Sequence, residues 1–232
     1  MAETAQIPAL DGSASFSAYV ATPNGPPKAA IIVIQEVFGV NQGIRRKCDA
    51  WAAEGYLAVA PDLFWRLKPG VDLDPDVPEQ MQEGFDYFAR YKPDDGVQDI
   101  EATIHWLRRD RNIAKVGCVG FCLGGKLAYM AATRTDVNAS VGYYPVGVDK
   151  MLNEGHAIAH PLMLHVATAD GFVSPEAQRA VHQGLEPNPR VKIHDYEGLD
   201  HGFATEMGNR RDEAGAQLAD SRTRAFFAAN LG

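Results

Sequence analysis

Short apolar runs alternate with amphipathic stretches along most of the chain. Upstream of this alternation, Thr4–Leu10 and Ser15–Ala21 flank the turn dipeptide Asp11-Gly12, which predicts an antiparallel hairpin. Several later runs carry apolar residues on both faces, as strands do when helices cover each side of a sheet. The six runs that read as β-strands are Ala29–Gln35, Leu57–Ala60, Val116–Gly120, Ala139–Tyr143, Pro161–Ala167 and Val191–Tyr196.

Between these strands, apolar residues recur at the spacing of a helical face. Ser174 followed by Pro175 is typical of a helix start, and Asp94 or Asp95 is expected to cap another helix. The predicted helices cover 43–54, 95–110, Leu123–Arg134, 175–186 and a C-terminal stretch marked by Leu218, Ala225, Phe226 and Ala229. This alternation predicts an α/β fold with a mostly parallel sheet, helices on both faces, the hairpin at the N-terminal edge and one domain over 1–232.

The excess of acidic over basic residues limits the kinds of molecule that the protein is expected to bind. The 232 residues include 22 Lys+Arg and 30 Asp+Glu, a formal net charge of −8, which argues against nucleic acid and against an anionic membrane surface. Basic runs such as Arg45-Arg46-Lys47 are expected on solvated helix faces. Three cysteines are an odd count, which fits a reducing compartment better than a disulfide framework.

Long apolar segments and signs of a large interface are both missing from the pattern. No secretory signal or membrane helix is expected, because the longest aliphatic run is only Ala29–Ile34. No long apolar edge or heptad pattern demands a partner subunit. These features predict a cytoplasmic protein that is a monomer or a weak homo-oligomer.

A nucleophile elbow is the first motif that carries chemistry. Gly120-x-Cys122-x-Gly124 lies between a predicted strand and a predicted helix and has the form G-x-S-x-G, with cysteine in place of serine. Such a turn holds its central residue in strained backbone geometry, and the flanking glycines avoid collisions with neighbouring elements. Cys122 would lie at a helix N-terminus, where the dipole favours a thiolate and the Leu123 amide can face a developing oxyanion.

A base and an acid should follow the nucleophile in chain order, each on a loop after a strand. Asp170 comes just after the fifth predicted strand of the alternating series, and His201 follows the sixth. Cys122, Asp170 and His201 therefore form an ordered triad of nucleophile, orienting acid and base. Glu36 comes directly after the first strand of that series, where burying a carboxylate costs free energy unless it has a partner or a role.

Five segments together resemble the dienelactone hydrolase family, the carboxymethylenebutenolidases of the α/β-hydrolase fold. These segments are Gln35–Asn41, Ala60–Leu63, Gly120–Gly125, Val141–Tyr144 and His201–Phe203. The resemblance runs from about Ala29 to the C-terminus. It implies a hydrolase that opens an enol-lactone ring to give maleylacetate, with a small-molecule ester or lactone as substrate, no cofactor and no metal.

The resemblance also assigns roles to residues of this chain. The implied site consists of Cys122, His201 and Asp170 as the triad, Glu36 as the group that controls protonation of Cys122, and the backbone amides of Val37 and Leu123 as the oxyanion hole. The side chains expected to form pocket walls, from their nearness to these motifs, are Phe38, Phe85, Tyr144 and Phe172. A thiolate attack, a thioester intermediate and hydrolysis by water would follow, which favours good leaving groups such as enols.

Archetypal members bind the substrate carboxylate with two arginines, at positions where this chain differs. The first region reads Glu79-Gln80-Met81-Gln82-Glu83, and Thr205 stands where the second arginine would fall. Losing two charge-assisted hydrogen bonds of about 1.5–3 kcal/mol each would weaken carboxylate binding by roughly a hundredfold or more. The absence of these two arginines favours a less acidic or longer ester or lactone as the substrate, unless Arg66, Lys68 or Arg90 supplies the missing positive charge.

Other interpretations stand beside this one. A nucleotide-binding protein is the rival class, because Gly120–Lys126 resembles a P-loop, although Leu127 replaces the Ser or Thr that holds magnesium. A non-catalytic member of the fold is a third possibility, which an unreactive Cys122 would favour. His156 and His160 are interpreted as part of a solvated loop rather than as metal ligands. The residues expected in the core rather than in a site are Cys48, Cys118 and His165.

Overall fold

A single eight-stranded sheet runs through the computed structural model, which describes residues 1–232. Its strands are β1 (Ala2–Pro8), β2 (Ser15–Ala21), β3 (Ala30–Ile34), β4 (Leu57–Pro61), β5 (Val116–Phe121), β6 (Ala139–Tyr143), β7 (Leu162–Ala167) and β8 (Val191–Tyr196). The order across the sheet is β1-β2-β4-β3-β5-β6-β7-β8. The six predicted strands of the alternating series are confirmed, each end within one residue, and β1 begins and ends two residues earlier than predicted.

The strand directions confirm a mostly parallel sheet with an antiparallel edge. β1 pairs antiparallel with β2, and β2 pairs antiparallel with β4. The other neighbours, from β4 through β3, β5, β6 and β7 to β8, are all parallel. The carboxyl ends of these parallel strands therefore lie along one edge of the sheet, where ligands bind in open α/β folds.

Six α-helices connect the strands. They are α1 (Gln42–Ala53), α2 (Pro78–Arg90), α3 (Pro93–Asp110), α4 (Leu123–Arg134), α5 (Pro175–Leu185) and α6 (Glu213–Leu231), and 3₁₀ turns cover Val148–Ala157. None of these helices is both long and apolar enough to cross a membrane. The predicted cap of α5 is confirmed, because the Ser174 hydroxyl accepts a hydrogen bond from the Ala177 amide.

Two local predictions are wrong, and one helix is missing from the predictions. The N-cap of α3 is Lys92, and Asp94 and Asp95 lie inside the first turn, because Pro93 already occupies the first helical position. Helix α2 is absent from the predicted helices, although Met81, Phe85 and Phe88 recur along it at helical spacing. Lys47 is buried rather than on a solvated face, since its stem turns inward from α1.

The core lies on both sides of the sheet. Alternate residues of β3 point to opposite faces of the sheet: Ile31 belongs to the core cluster that includes residues of α1 and α6, and Ile32 belongs to the cluster that includes residues of α3, α4 and α5. Both side chains are fully buried, which explains why the central strands are apolar at every position. The two covered faces fix the positions of the loops that follow the strands, and these loops hold the residues of the candidate site.

Candidate active site

Cys122 occupies the sharp turn between β5 and α4. Its backbone has φ +57° and ψ −114°, a conformation that non-glycine residues rarely adopt. The turn depends on two glycines, since a Cβ on Gly120 would lie 1.9 Å from the Gly124 carbonyl oxygen. A Cβ on Gly124 would lie 2.4 Å from the carbonyl oxygen of Ile34, at the end of β3. The strain and the close packing together place Cys122 at the N-terminus of α4.

His201 and Asp170 meet beside Cys122. The Nδ1 atom of His201 lies 2.8 Å from Oδ2 of Asp170, and both side chains are buried. Asp200 links their two loops, because its Oδ1 accepts hydrogen bonds from the backbone amides of Gly171 and His201, at 2.9 and 2.7 Å. Since Cys122 and His201 border the same cavity, the structure brings the three residues of the predicted triad together.

The environment of His201 favours its protonated form. Burial lowers the pKa of this imidazole, but the negative charge of Cys122 and the hydrogen bond to Asp170 outweigh burial and raise the pKa to about 10. The rings of Tyr144 and Phe172 each meet the imidazole edge to face, with centroids 4.9 Å away. The imidazole is thus fixed in orientation between two aromatic rings and a carboxylate.

Glu36 follows β3 and, although buried, borders the same cavity. Its oxygens accept two long hydrogen bonds of 3.4 Å, one from the Tyr144 hydroxyl and one from the Thr205 hydroxyl. Burial raises the pKa of Glu36, while the positive charges of His201 and Lys47 and the two hydroxyl contacts act in the opposite direction. The net result is a pKa of Glu36 above its ordinary value.

The two amides predicted to form an oxyanion hole lie on adjacent segments. Leu123 is the first residue of α4, so its N–H has no acceptor within the helix. Val37 directly follows Glu36 and lines the cavity. The close approach of Gly124 to Ile34 draws the start of α4 against the end of β3. This contact sets the spacing between the Leu123 and Val37 segments.

A cavity of about 380 Å³ opens above these groups. Its wall is mainly apolar and includes Phe38, Met81, Phe85, Phe88, Phe172 and Met207. Three of the four predicted wall residues, Phe38, Phe85 and Phe172, therefore lie where they were expected. Tyr144 does not line the cavity: its ring is buried behind Glu36 and His201 because its backbone, at φ +37°, turns the side chain inward.

None of the three cations considered as replacements for the missing arginines reaches the cavity. The Arg66 guanidinium binds the buried carboxylate of Asp99 at 2.5 Å. Lys68 pairs with Glu83 at 3.1 Å. Arg90 donates to a backbone carbonyl of its own helix and packs over a tyrosine ring. The structure therefore does not use these residues to recognise a substrate charge.

Among the lysines and arginines, Arg210 is the residue whose side chain lines the cavity. Its guanidinium lies 3.5 Å from Asp200 Oδ2 and from the His201 carbonyl oxygen, and 5.9 Å from the Phe172 ring centre. The side chain is 44% exposed. Met81, from the first region discussed for arginine, and Thr205, at the second position, also line the cavity and carry no charge.

Sequence reasoning missed Asp200, Arg210 and the hydrogen bond from Tyr144 to Glu36. Asp200 directly precedes the predicted base, and that adjacency is the signal that could have found it. Arg210 lies on an irregular loop, held by a hydrogen bond from the Asn209 amide to Asp76, and has no periodic signal. Loop geometry of this kind depends on tertiary contacts.

The residues assigned to the core lie there. Cys48 and Cys118 are fully buried, and burial raises the pKa of each thiol well above its ordinary value. His165 is also fully buried, with Nδ1 2.7 Å from the Tyr196 hydroxyl and Nε2 2.9 Å from the Thr223 hydroxyl. Burial lowers the pKa of His165, so this imidazole is a neutral, fully bonded core group.

Comparisons of this sequence and structure with known proteins agree on one family of hydrolases. The family model that matches is the Dienelactone hydrolase family, over residues 16–231. A protein of Azospirillum brasilense is 43% identical over 97% of this chain and 98% of its own length. The carboxymethylenebutenolidase of Pseudomonas putida is 35% identical, with 98% and 97% covered. A crystal structure of a Klebsiella pneumoniae protein has a TM-score of 0.85 at 25% identity and covers 98% of each chain.

Proposed function

The chain belongs to the dienelactone hydrolase family and is a carboxylic ester hydrolase, and we propose that it cleaves its substrate through a thioester on Cys122. The observation that carries this proposal is that His201, 2.8 Å from Asp170, lines the same cavity as Cys122. A nucleophile, a base and an orienting acid in this arrangement support acyl transfer.

In the first half-reaction, the Cys122 thiolate attacks the carbonyl carbon of the ester or lactone. The carbon–oxygen π electrons move to the carbonyl oxygen, which accepts hydrogen bonds from the amides of Val37 and Leu123. The tetrahedral intermediate collapses, the bond to the leaving oxygen breaks, and the His201 imidazolium gives that oxygen its proton. The product of this half-reaction is a thioester on Cys122.

In the second half-reaction, water replaces the leaving group. Neutral His201 takes a proton from water, and the hydroxide adds to the thioester carbonyl. Collapse of this second intermediate releases the carboxylic acid and returns the Cys122 thiolate beside the imidazolium. Asp170 holds the tautomer and orientation of the ring in both half-reactions.

Glu36 is assigned the role of controlling the protonation state of Cys122. Its buried carboxyl lines the same cavity and carries one negative charge when ionised. Replacing Glu36 with glutamine should lower turnover while leaving the fold intact. An unchanged rate in the Glu36→Gln variant would remove this role.

The cavity wall supports an apolar, uncharged substrate rather than a strongly acidic one. Met81 and Thr205 offer no positive charge, and the Arg210 guanidinium is partly engaged by Asp200. A neutral or weakly acidic ester or lactone with a good leaving group fits these contacts. A carboxylate-bearing lactone would have to use Arg210 at the edge of the cavity.

The experiment compares kcat/KM for a carboxylate-bearing enol-lactone and for its neutral methyl ester, in the wild type and in Arg210→Met. We expect the wild type to prefer the methyl ester. A preference for the carboxylate would contradict the apolar assignment, and its loss in Arg210→Met would identify that guanidinium as the anion site. Cys122→Ala is the control for both substrates and should leave less than about a tenth of the wild-type activity.

A further inference from the structure

The catalytic acid and base lie on two loops that follow neighbouring parallel strands, β7 and β8. Beyond the strands, the last backbone–backbone hydrogen bond that joins the two segments runs from the Ala169 amide to the Leu199 carbonyl oxygen, at 3.0 Å. Asp170 and His201 both lie beyond this bond. The sheet alone therefore does not fix the 2.8 Å contact between their side chains.

Asp200 joins the two loops where the backbone bonds have ended. One of its carboxylate oxygens, Oδ1, accepts a 2.9 Å hydrogen bond from the Gly171 amide and a 2.7 Å hydrogen bond from the His201 amide. Gly171 directly follows the acid, Asp170, and His201 is the base itself. A single oxygen atom therefore ties the backbone beside the acid to the backbone of the base.

The ionised form of Asp200 suits this bridge. Hydrogen bonds from backbone amides to a carboxylate are shorter and stronger than those to a neutral acceptor. The bond from the Gly171 amide lowers the pKa of Asp200 more than any other contact, and the His201 amide and the Arg210 guanidinium act in the same direction. Asp200 is therefore charged at neutral pH and can accept from both amides at once.

The other oxygen of Asp200 contributes less. Oδ2 lies 3.5 Å from the Arg210 guanidinium, which is also 3.5 Å from the His201 carbonyl oxygen. The side chain of Asp200 is 59% exposed, and exposed ion pairs add little stability. Asp200 does not line the cavity, so any effect on the substrate must pass through its neighbours.

We propose that Asp200 is a positioning residue that holds the loop of Asp170 against the loop of His201 and so keeps the acid and the base aligned. This inference rests on the proposed function, because Asp200 affects hydrolysis only through His201. Asp200 touches neither the substrate nor the reacting atoms. Its effect is transmitted through the two backbone amides that share its Oδ1 atom.

Substitution of Asp200 by alanine and by asparagine separates the bridge from the charge. Asp200→Ala removes both hydrogen bonds and should lower kcat/KM for p-nitrophenyl acetate by about tenfold or more, because displacing a catalytic group by about 1 Å costs about a hundredfold. Asp200→Asn removes the charge but keeps the oxygen acceptor, and it should stay within about threefold of the wild type. A loss in Asp200→Asn as large as that in Asp200→Ala would overturn the bridge, as would an Asp200→Ala enzyme with the wild-type kcat/KM.

A double-mutant cycle tests whether Asp200 acts through Asp170. In the Asp170→Ala background there is no acid to align, so Asp200→Ala should lower kcat/KM by no more than about twofold further. An equal loss in both backgrounds would overturn the proposal. Asp11→Ala is the matched control, because Asp11 is an exposed aspartate whose Oδ1 accepts a 2.9 Å hydrogen bond from the Ser13 amide in the turn between β1 and β2. It should leave kcat/KM unchanged.

A readout that does not depend on hydrolysis separates this inference from the proposed function. Against burial, which lowers it, the charge of Cys122 and the hydrogen bond to Asp170 raise the pKa of His201 to about 10. The midpoint of the His201 ring signals in NMR, assigned by their loss in His201→Gln, should therefore move to lower pH when the Asp170 contact loosens. The shift should be larger in Asp200→Ala than in Asp200→Asn, which removes the same charge, and absent in Asp11→Ala. This order is expected even if Cys122→Ala were to retain activity, which would contradict only the nucleophile assignment. Equal midpoints in Asp200→Ala and Asp200→Asn would overturn the positioning role.

Discussion

Substitution of Gly124 by alanine tests whether the close contact between α4 and β3 aligns the active site. The added Cβ would lie 2.4 Å from the Ile34 carbonyl oxygen and 2.6 Å from that of Gln35. Ordinary carbon–oxygen contacts are about 3.3–3.6 Å, so the two segments must separate by about 1 Å. Both neighbours are backbone atoms and cannot rotate away, which means that the Leu123 and Val37 amides move relative to each other.

A displacement of about 1 Å between catalytic groups lowers the rate by about a hundredfold. We therefore expect kcat/KM of Gly124→Ala for p-nitrophenyl acetate to fall by about that factor, and the free energy of unfolding to fall by about 1–3 kcal/mol from overpacking. The matched control is Gly184→Ala in α5, whose Cβ would meet only the side chain of Leu152, at 3.1 Å and beyond. A folded Gly124→Ala enzyme with kcat/KM within about threefold of the wild type would refute the reasoning.

Three further predictions follow from single contacts. Asp170→Asn removes a buried charge-assisted hydrogen bond and should lower kcat/KM by about 10- to 150-fold, and a loss below about threefold would contradict the orienting role. The NMR signals of the His201 ring protons should titrate near pH 10, with the imidazolium present below that pH and lost above it. Asp170→Asn should move this midpoint to lower pH. A midpoint near the ordinary value for histidine would disprove the ion pair. Ser174→Ala removes the cap bond to the Ala177 amide and should destabilise the fold by about 1 kcal/mol, measured as a Tm decrease of about 2–4 °C, with kcat unchanged.

Sequence reasoning succeeded where a local pattern carries the physical cause. The central strands are apolar at successive positions because helices cover both faces, so β3 could be located within one residue. The triad could be ordered because each member follows a parallel strand, and Cys122, Asp170 and His201 meet as the order predicts. Helix α2 is missing from the predictions although Met81, Phe85 and Phe88 follow a helical spacing, and these side chains line the cavity rather than the core.

The missed features depend on tertiary packing rather than on spacing. Lys47 belongs to a run of three basic residues that reads as a solvated face, yet its ammonium is drawn inward by the Phe121 ring. Tyr144 was expected at the pocket wall from its nearness in the chain to Gly142 and Tyr143. Its left-handed backbone instead turns it towards Glu36. The directions in which the side chains of Lys47 and Tyr144 point cannot be predicted from residue types alone.

The nucleophile assignment is tested most directly by trapping the acyl-enzyme. Enzyme quenched in acid during turnover of p-nitrophenyl acetate should carry one acetyl group, and peptide mass spectrometry should place it on the sulfur of Cys122. The same treatment of Cys122→Ala should give no adduct and less than about a tenth of the wild-type rate. An acetyl group on another residue, or a Cys122→Ala enzyme that still hydrolyses the ester at the wild-type rate, would contradict the thioester mechanism.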